Sequence, residues 1–117
     1  MVELIYLASP YDDPDPALRA YRYIEVRNAA ISLITSELFV FSPILHCHPI
    51  AQYGGLPTDF TFWEYFDKKM ISVADRFGIL ELFGWKNSRG INREVEIALD
   101  HNLIIESINP ITYQIEK

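Results

Sequence analysis

Glu94 follows Ser88-Arg89-Gly90, where a loop enters a segment of helical periodicity. A carboxylate near a helix N-terminus is held as its anion by the aligned peptide dipoles, which keeps it available as a nucleophile. A first-turn capping glutamate would occupy the same position, and Glu96 nearby fits a solvated helix residue. Asp67 ends the run Phe62-Trp63-Glu64-Tyr65-Phe66-Asp67. Buried in that aromatic setting, its pKa would rise, as a general acid requires; exposed, it would pair with Lys68 or Lys69. Ser88 and Gly90 combine a hydroxyl, a flexible glycine and the N–H groups of a helix start, the parts of an anion cradle.

His46 and His48 form a His-x-His pair. On an extended stretch the two imidazoles would share one face, but a zinc site would need further ligands from Cys47, His101 or scattered carboxylates. Pocket lining or loop hydrogen bonding is the simpler role for His46. The chain carries neither a Walker loop nor a dinucleotide glycine fingerprint, and no metal or other cofactor is expected. Trp85 and Tyr11 offer flat faces for stacking on a base, or for ordinary core packing. Cys47 reads as an incidental buried thiol rather than a nucleophile.

These groups work together only if the fold gathers them. Residues 2–8, 38–42, 77–83 and 103–107 are apolar runs suited to strands covered on both faces. Residues 16–37, 58–75 and 91–101 have helical spacing, with Asp15 an N-cap ahead of Pro16 and Thr58 or Asp59 capping the second. Asp75 closes that second helix in a structural turn role. Residues 44–57, rich in Gly and Pro, read as an irregular loop over a ligand site, with room for one short helix. Alternating strands and helices imply right-handed crossovers. The expected fold is a three-layer, flavodoxin- or Rossmann-like α/β domain, with a parallel sheet of four to five strands and helices on both faces. Ligands in such sheets bind beyond the carboxyl ends of the strands. That rule selects the loops beginning at Ser9, Pro43 and Gly84, where the polar and glycine-rich residues fall. With no repeat or linker, residues 1–117 read as a single domain.

Composition narrows the partners. Half of the 117 residues are hydrophobic, enough for a core. A net charge of −6 argues against a nucleic-acid polymer, which needs clustered Lys and Arg, though local N–H groups can still hold one small anion. No apolar run approaches the about 18 residues of a membrane span, so no membrane partner is expected. The N-terminus runs straight into the first apolar block, and one cysteine forms no disulfide framework. Both point to the cytoplasm.

The joint spacing of Ile5-Tyr6-Leu7-Ala8-Ser9-Pro10-Tyr11, Phe41-Ser42-Pro43-Ile44, Trp63 with Asp67, and Gly84-Trp85 with Ser88-x-Gly90-x-x-x-Glu94 resembles the nucleoside 2-deoxyribosyltransferase-like superfamily. More narrowly, it is similar to an uncharacterised bacterial and phage branch, over roughly residues 4–108. The resemblance implies an enzyme, a nucleoside deoxyribosyltransferase or a nucleotide N-glycoside hydrolase. Glu94 would attack the anomeric carbon, Tyr6 would orient it, and Asp67 would contact sugar hydroxyls or protonate the base. Ser88 matches a phosphate-binding serine, Asp75 and Ala98 match flanking positions, and at least a homodimer is implied.

The sequence departs from the family around the nucleophile, with Asn92-Arg93-Glu94-Val95-Glu96. It also has Asp12 and Asp13 where the monophosphate hydrolases carry an arginine, leaving Arg89 or Arg93 to stand in. A non-catalytic nucleotide-binding or sensor module on the same fold is the alternative, and it would tolerate loss of Glu94. A deoxynucleotide phosphatase is a third class, for which the chain offers neither metal cluster nor basic cradle.

Overall fold

The apolar run near the N-terminus forms β1 (Leu4–Ala8), the centre of the sheet in a computed structural model that describes residues 2–116. Ser9 and Pro10 end the strand, and Asp15 then caps α1 (Pro16–Thr35) by accepting from the Ala17 N–H at 2.9 Å. The short strand β2 (Phe39–Phe41) pairs with one side of β1, and β3 (Arg76–Leu80) with the other. β4 (Ile105–Ile108) extends the sheet beside β3. These four strands are all parallel, as crossover connections through helices require.

The order β2-β1-β3-β4-β5 closes with a strand that the alternating pattern did not predict. β5 (Ile115–Glu116) runs antiparallel to β4, so the sheet is mixed rather than wholly parallel. The reason is length. Residues 109–114 are too few for a crossover, and the Asn109 side chain folds them back by accepting from the Ile111 and Thr112 N–H groups. The architecture is α/β with a five-stranded, mostly parallel sheet, consistent with a Rossmann-like fold.

Residues 44–57 are also more regular than expected. Ser42 accepts from the Leu45 N–H at 3.2 Å, Pro43 opens the first turn, and α2 runs over Pro43–Gly54 to a left-handed Gly55. Serine before proline is a helix-start pair. Pro49 inside the helix, together with Gly54-Gly55, gave the segment the composition of a loop. α3 (Phe60–Val73) is capped by Asp59, and α4 (Arg89–Asp100) by Ser88. α4 therefore starts at Arg89, earlier than its periodicity indicated.

Side chains of β1 alternate between two cores. Ile5 and Leu7 pack with Val26, Ala29 and Leu33 of α1 and Ile44 of α2. Tyr6 and Ala8 pack with Ile71 of α3 and with Ile91, Ile97 and Ala98 of α4. Asp75 ties α3 to the sheet, its carboxylate accepting from the Leu4 N–H at 2.8 Å.

After β3 the chain turns at Gly84, whose φ of 88° lies in the left-handed region, into a short 3-10 turn over Trp85–Asn87. Any side chain there is strained, by about 1–2 kcal/mol. Gly84→Ala should lower the unfolding free energy by that amount, seen as a lower urea midpoint with an unchanged denaturant slope. An unaltered midpoint would show that this turn does not constrain the entry to α4.

Candidate active site

α4 is amphipathic, and its buried face carries Ile91, Glu94, Ile97 and Ala98. Glu94 is the one acid on that face and is only 4% exposed. α3 repeats the pattern. Its buried residues are Ile71 and, one turn earlier, Asp67, also 4% exposed. Two helices that pack against each other thus each turn a carboxyl group inward, where an apolar residue would ordinarily stand.

The sheet supplies the partner for one of them. Tyr6, fully buried at the middle of β1, donates its phenolic O–H to Glu94 Oε2. The Tyr6 ring is fixed by stacking on Phe77 at 5.4 Å between centroids and by a tilted contact with Phe41 at 5.8 Å. Among the described residues Asp67 has no such partner, and its Oδ1 is buried without a hydrogen bond to any of them. Ser9 Oγ, at the end of β1, is likewise buried and unpartnered. Each such group costs roughly 1–3 kcal/mol if nothing satisfies it.

Burial governs the protonation of this cluster. Loss of water raises the Glu94 pKa to about 8; the Tyr6 hydrogen bond opposes the rise, and the charge of Asp67 adds to it. Burial likewise raises Asp67 to about 7. Tyr6 is pushed well above its ordinary value by burial and by both carboxyls, so it stays a neutral donor. These directions correct the sequence reading of Glu94. With α4 starting at Arg89, Glu94 lies beyond the first turn, where the dipole fades, and desolvation decides its state.

Glu94, Asp67 and Ser9 line one cavity of about 520 Å³ beyond the carboxyl ends of β1 and β3. Ser88 and Gly90 line it too, although Ser88 Oγ already accepts from the Ile91 N–H at 3.2 Å as the cap of α4. Tyr6 stands directly behind Glu94. Among the residues picked from the sequence, His46 and Trp85 are not brought to the cavity. His46 stacks on Phe66 at 4.5 Å, and Trp85 packs against the α3–α4 core with Lys86 over its ring. The His-x-His pair lies on a helix, where residues two apart point in different directions, so the shared face expected of an extended stretch is absent. Among the described residues, no group of three His, Cys, Asp or Glu is placed to hold a metal ion.

Further residues join the wall, among them Tyr11 and Arg89, which the sequence offered for stacking on a base and for a phosphate. Arg22 reaches it from α1 and donates to the carbonyls of Tyr11 and Asp12 at 3.1 and 3.3 Å. Arg89 lines the same space, whereas Arg93 pairs with Glu64 and Glu96 outside it. Tyr11, Phe60 and Trp63 supply aromatic surface, Asp12, Asp13 and Asp59 add negative charge, and Cys47 adds a thiol raised to about 12 by burial. The position of Arg22 on the first helix carries no local motif, so only the fold reveals it.

A family model described as a domain of unknown function, DUF1937, matches residues 3–107 and so spans Tyr6, Asp67 and Glu94. No curated protein matches the chain.

The raised carboxyls make stability depend on pH in a defined direction. Folded Glu94 keeps its proton to about pH 8, but the ordinary value is 4.5. Its contribution is therefore complete below about pH 4.5 and is lost as pH rises through about 8. Glu94→Gln cannot ionise and can still accept from Tyr6. Between about pH 5 and pH 9 its melting temperature should fall by several degrees less than that of the wild type, with Asp67 responsible for the residual slope. Equal slopes would place Glu94 in water instead.

Proposed function

The chain belongs to the DUF1937 family, and we propose that it cleaves or exchanges the N-glycosidic bond of a nucleoside or nucleoside 5′-monophosphate, with Glu94 as nucleophile. The observation that carries the reading is the pair of buried carboxyls, Glu94 and Asp67, in one cavity at the strand ends, with Tyr6 bonded to the first. In this reading α1 and α2 cover one face of the sheet and α3 and α4 the other. That is the three-layer, flavodoxin-like arrangement, whose ligand crevice opens at the switch point between β1 and β3.

Breaking a C–N glycosidic bond builds positive charge on the sugar and negative charge on the departing base. Glu94 attacks C1′ and forms an ester as the C1′–N bond breaks, its electron pair leaving with the base. Asp67, protonated, gives its proton to that base. The Asp67 carboxylate then takes a proton from water, which attacks C1′ and frees Glu94. Attack by the nitrogen of a second base instead makes the reaction a transfer. Tyr6 holds the Glu94 carboxylate in place throughout.

One proton shared between the two carboxyls is the working form; at rest it sits mainly on Glu94, the weaker acid, and the reaction runs through the minor form in which it has passed to Asp67 and Glu94 is ionised. Arg22 and Arg89 line the cavity, and neither has a carboxylate partner among the described residues, which suits a phosphate on the substrate. A homodimer or larger homo-oligomer and a cytoplasmic location complete the reading; no bound cofactor is required.

Purified protein incubated with nucleosides and their 5′-monophosphates, with and without an acceptor base, should release free base. Glu94→Ala should lose activity by about a thousandfold or more. The wild-type kcat/KM should be bell-shaped in pH, peaking between about 7 and about 8, where one proton resides on the pair. Asp67→Asn should be slower by about a hundredfold or more and lose the alkaline limb, because only ionisation of Glu94 then matters. Ligands that raise the melting temperature of the wild type and Glu94→Ala alike, without turnover in either, would leave a nucleotide-binding module.

A further inference from the structure

We propose that His48 is a positioning residue for the substrate cavity: it holds the ring of Tyr11 in the wall by accepting a hydrogen bond from the phenol. The inference rests on the cavity being the substrate site, and it extends that reading to a residue that does not itself line the cavity.

α2 presents Ile44, Cys47 and His48 along one side, at the three- and four-residue spacing that places helical neighbours together. Ile44 and Cys47 line the cavity, and His48 continues the same side to the loop after β1. There its Nδ1 lies 2.5 Å from the Tyr11 hydroxyl, with the two rings edge to face. Tyr23 of α1 stacks on the other side of the imidazole at 4.4 Å between centroids, so the ring is fixed from both directions.

The roles within the bond follow from the neighbours. Burial and the charge of Arg19 both lower the His48 pKa, so the imidazole is neutral. Burial raises that of Tyr11, so the phenol keeps its proton. The phenol therefore donates to Nδ1, and the imidazole proton stays on Nε2. Arg22 holds the other end of Tyr11 by donating to its carbonyl. Removing the histidine frees the ring end while leaving the backbone anchored. A cavity wall of that kind affects how tightly substrate is held more than how fast it reacts once bound.

Substitution at both ends of the bond tests this. With deoxyadenosine and its 5′-monophosphate as probes, His48→Leu and Tyr11→Phe should each raise KM about three- to tenfold, the worth of one such hydrogen bond, with kcat unchanged. The double variant should be no worse than either single one. His48→Asn, whose amide oxygen lies close to the place of Nδ1, should stay within about twofold of the wild type. Nitrogen-15 NMR of the ligand-free protein should find His48 protonated at Nε2 only, with an Nδ1 signal that moves in Tyr11→Phe. A protonated Nδ1, an unmoved signal, additive losses, or a His48→Asn as weak as His48→Leu would each overturn the proposal. If the wild type neither binds nor turns over the probes, the functional reading fails, while the NMR comparison still decides whether His48 holds Tyr11.

Discussion

Glu94 has to keep a carboxyl group out of water, and the surrounding structure is arranged around that requirement. A buried carboxylate with no partner is costly enough that the group holds a proton instead. Here the phenol of Tyr6, anchored at the centre of the sheet between Phe41 and Phe77, offers one hydrogen bond that favours the charged form without cancelling the desolvation. The result is an acid poised near neutrality rather than locked in either state. Asp67 reaches a similar point by burial alone. In the proposed reaction Glu94 stays the nucleophile while Asp67 serves first as acid and then as base, and a carboxyl that titrates near neutrality can do both.

The rest of the fold delivers these groups and shapes the space in front of them. Parallel pairing of β1 with β3 brings the loops beginning at Ser9 and Gly84 to the same end of the sheet. The Ser88 cap fixes where α4 begins, and so which of its residues face inward. Loop and helix ends are tied across the cavity mouth, with Arg22 bonded to the Tyr11 and Asp12 carbonyls and the Thr58 hydroxyl to the Asp12 carboxylate at 2.6 Å. These contacts make the loop after β1 a wall with defined side chains.

Much of this is legible in the sequence, because strong periodicity and turn chemistry agree. The apolar run over Leu4–Ala8, the Asp15-Pro16 start of α1 and the aromatic setting of Asp67 all carry their structural meaning locally. The α2 segment reads as a loop because Pro49 and Gly54-Gly55 outweigh the Ser42-Pro43 start signal. β5 is too short to have a period at all. The placement of Arg22, and the pairing of His48 rather than His46 with a cavity residue, depend on contacts between distant segments and have no signature in local spacing. Glu94 was found by its spacing from Ser88, but its acidity depends on burial, which is a property of the whole fold.

A covalent glycosyl ester on Glu94 is the most direct expression of this account. Fluorine at the sugar C2′ destabilises the positive charge that forms as the ester is made and broken, so a 2′-fluorinated nucleoside or its 5′-monophosphate should let the ester accumulate. Intact-mass spectrometry of the protein after incubation should then show a gain of one fluorinated glycosyl group, and peptide fragmentation should place it on Glu94. Turnover of the unmodified substrate with an adduct on another residue would move the nucleophile there, and turnover with no adduct under any condition would leave direct attack by water; either contradicts a Glu94 nucleophile.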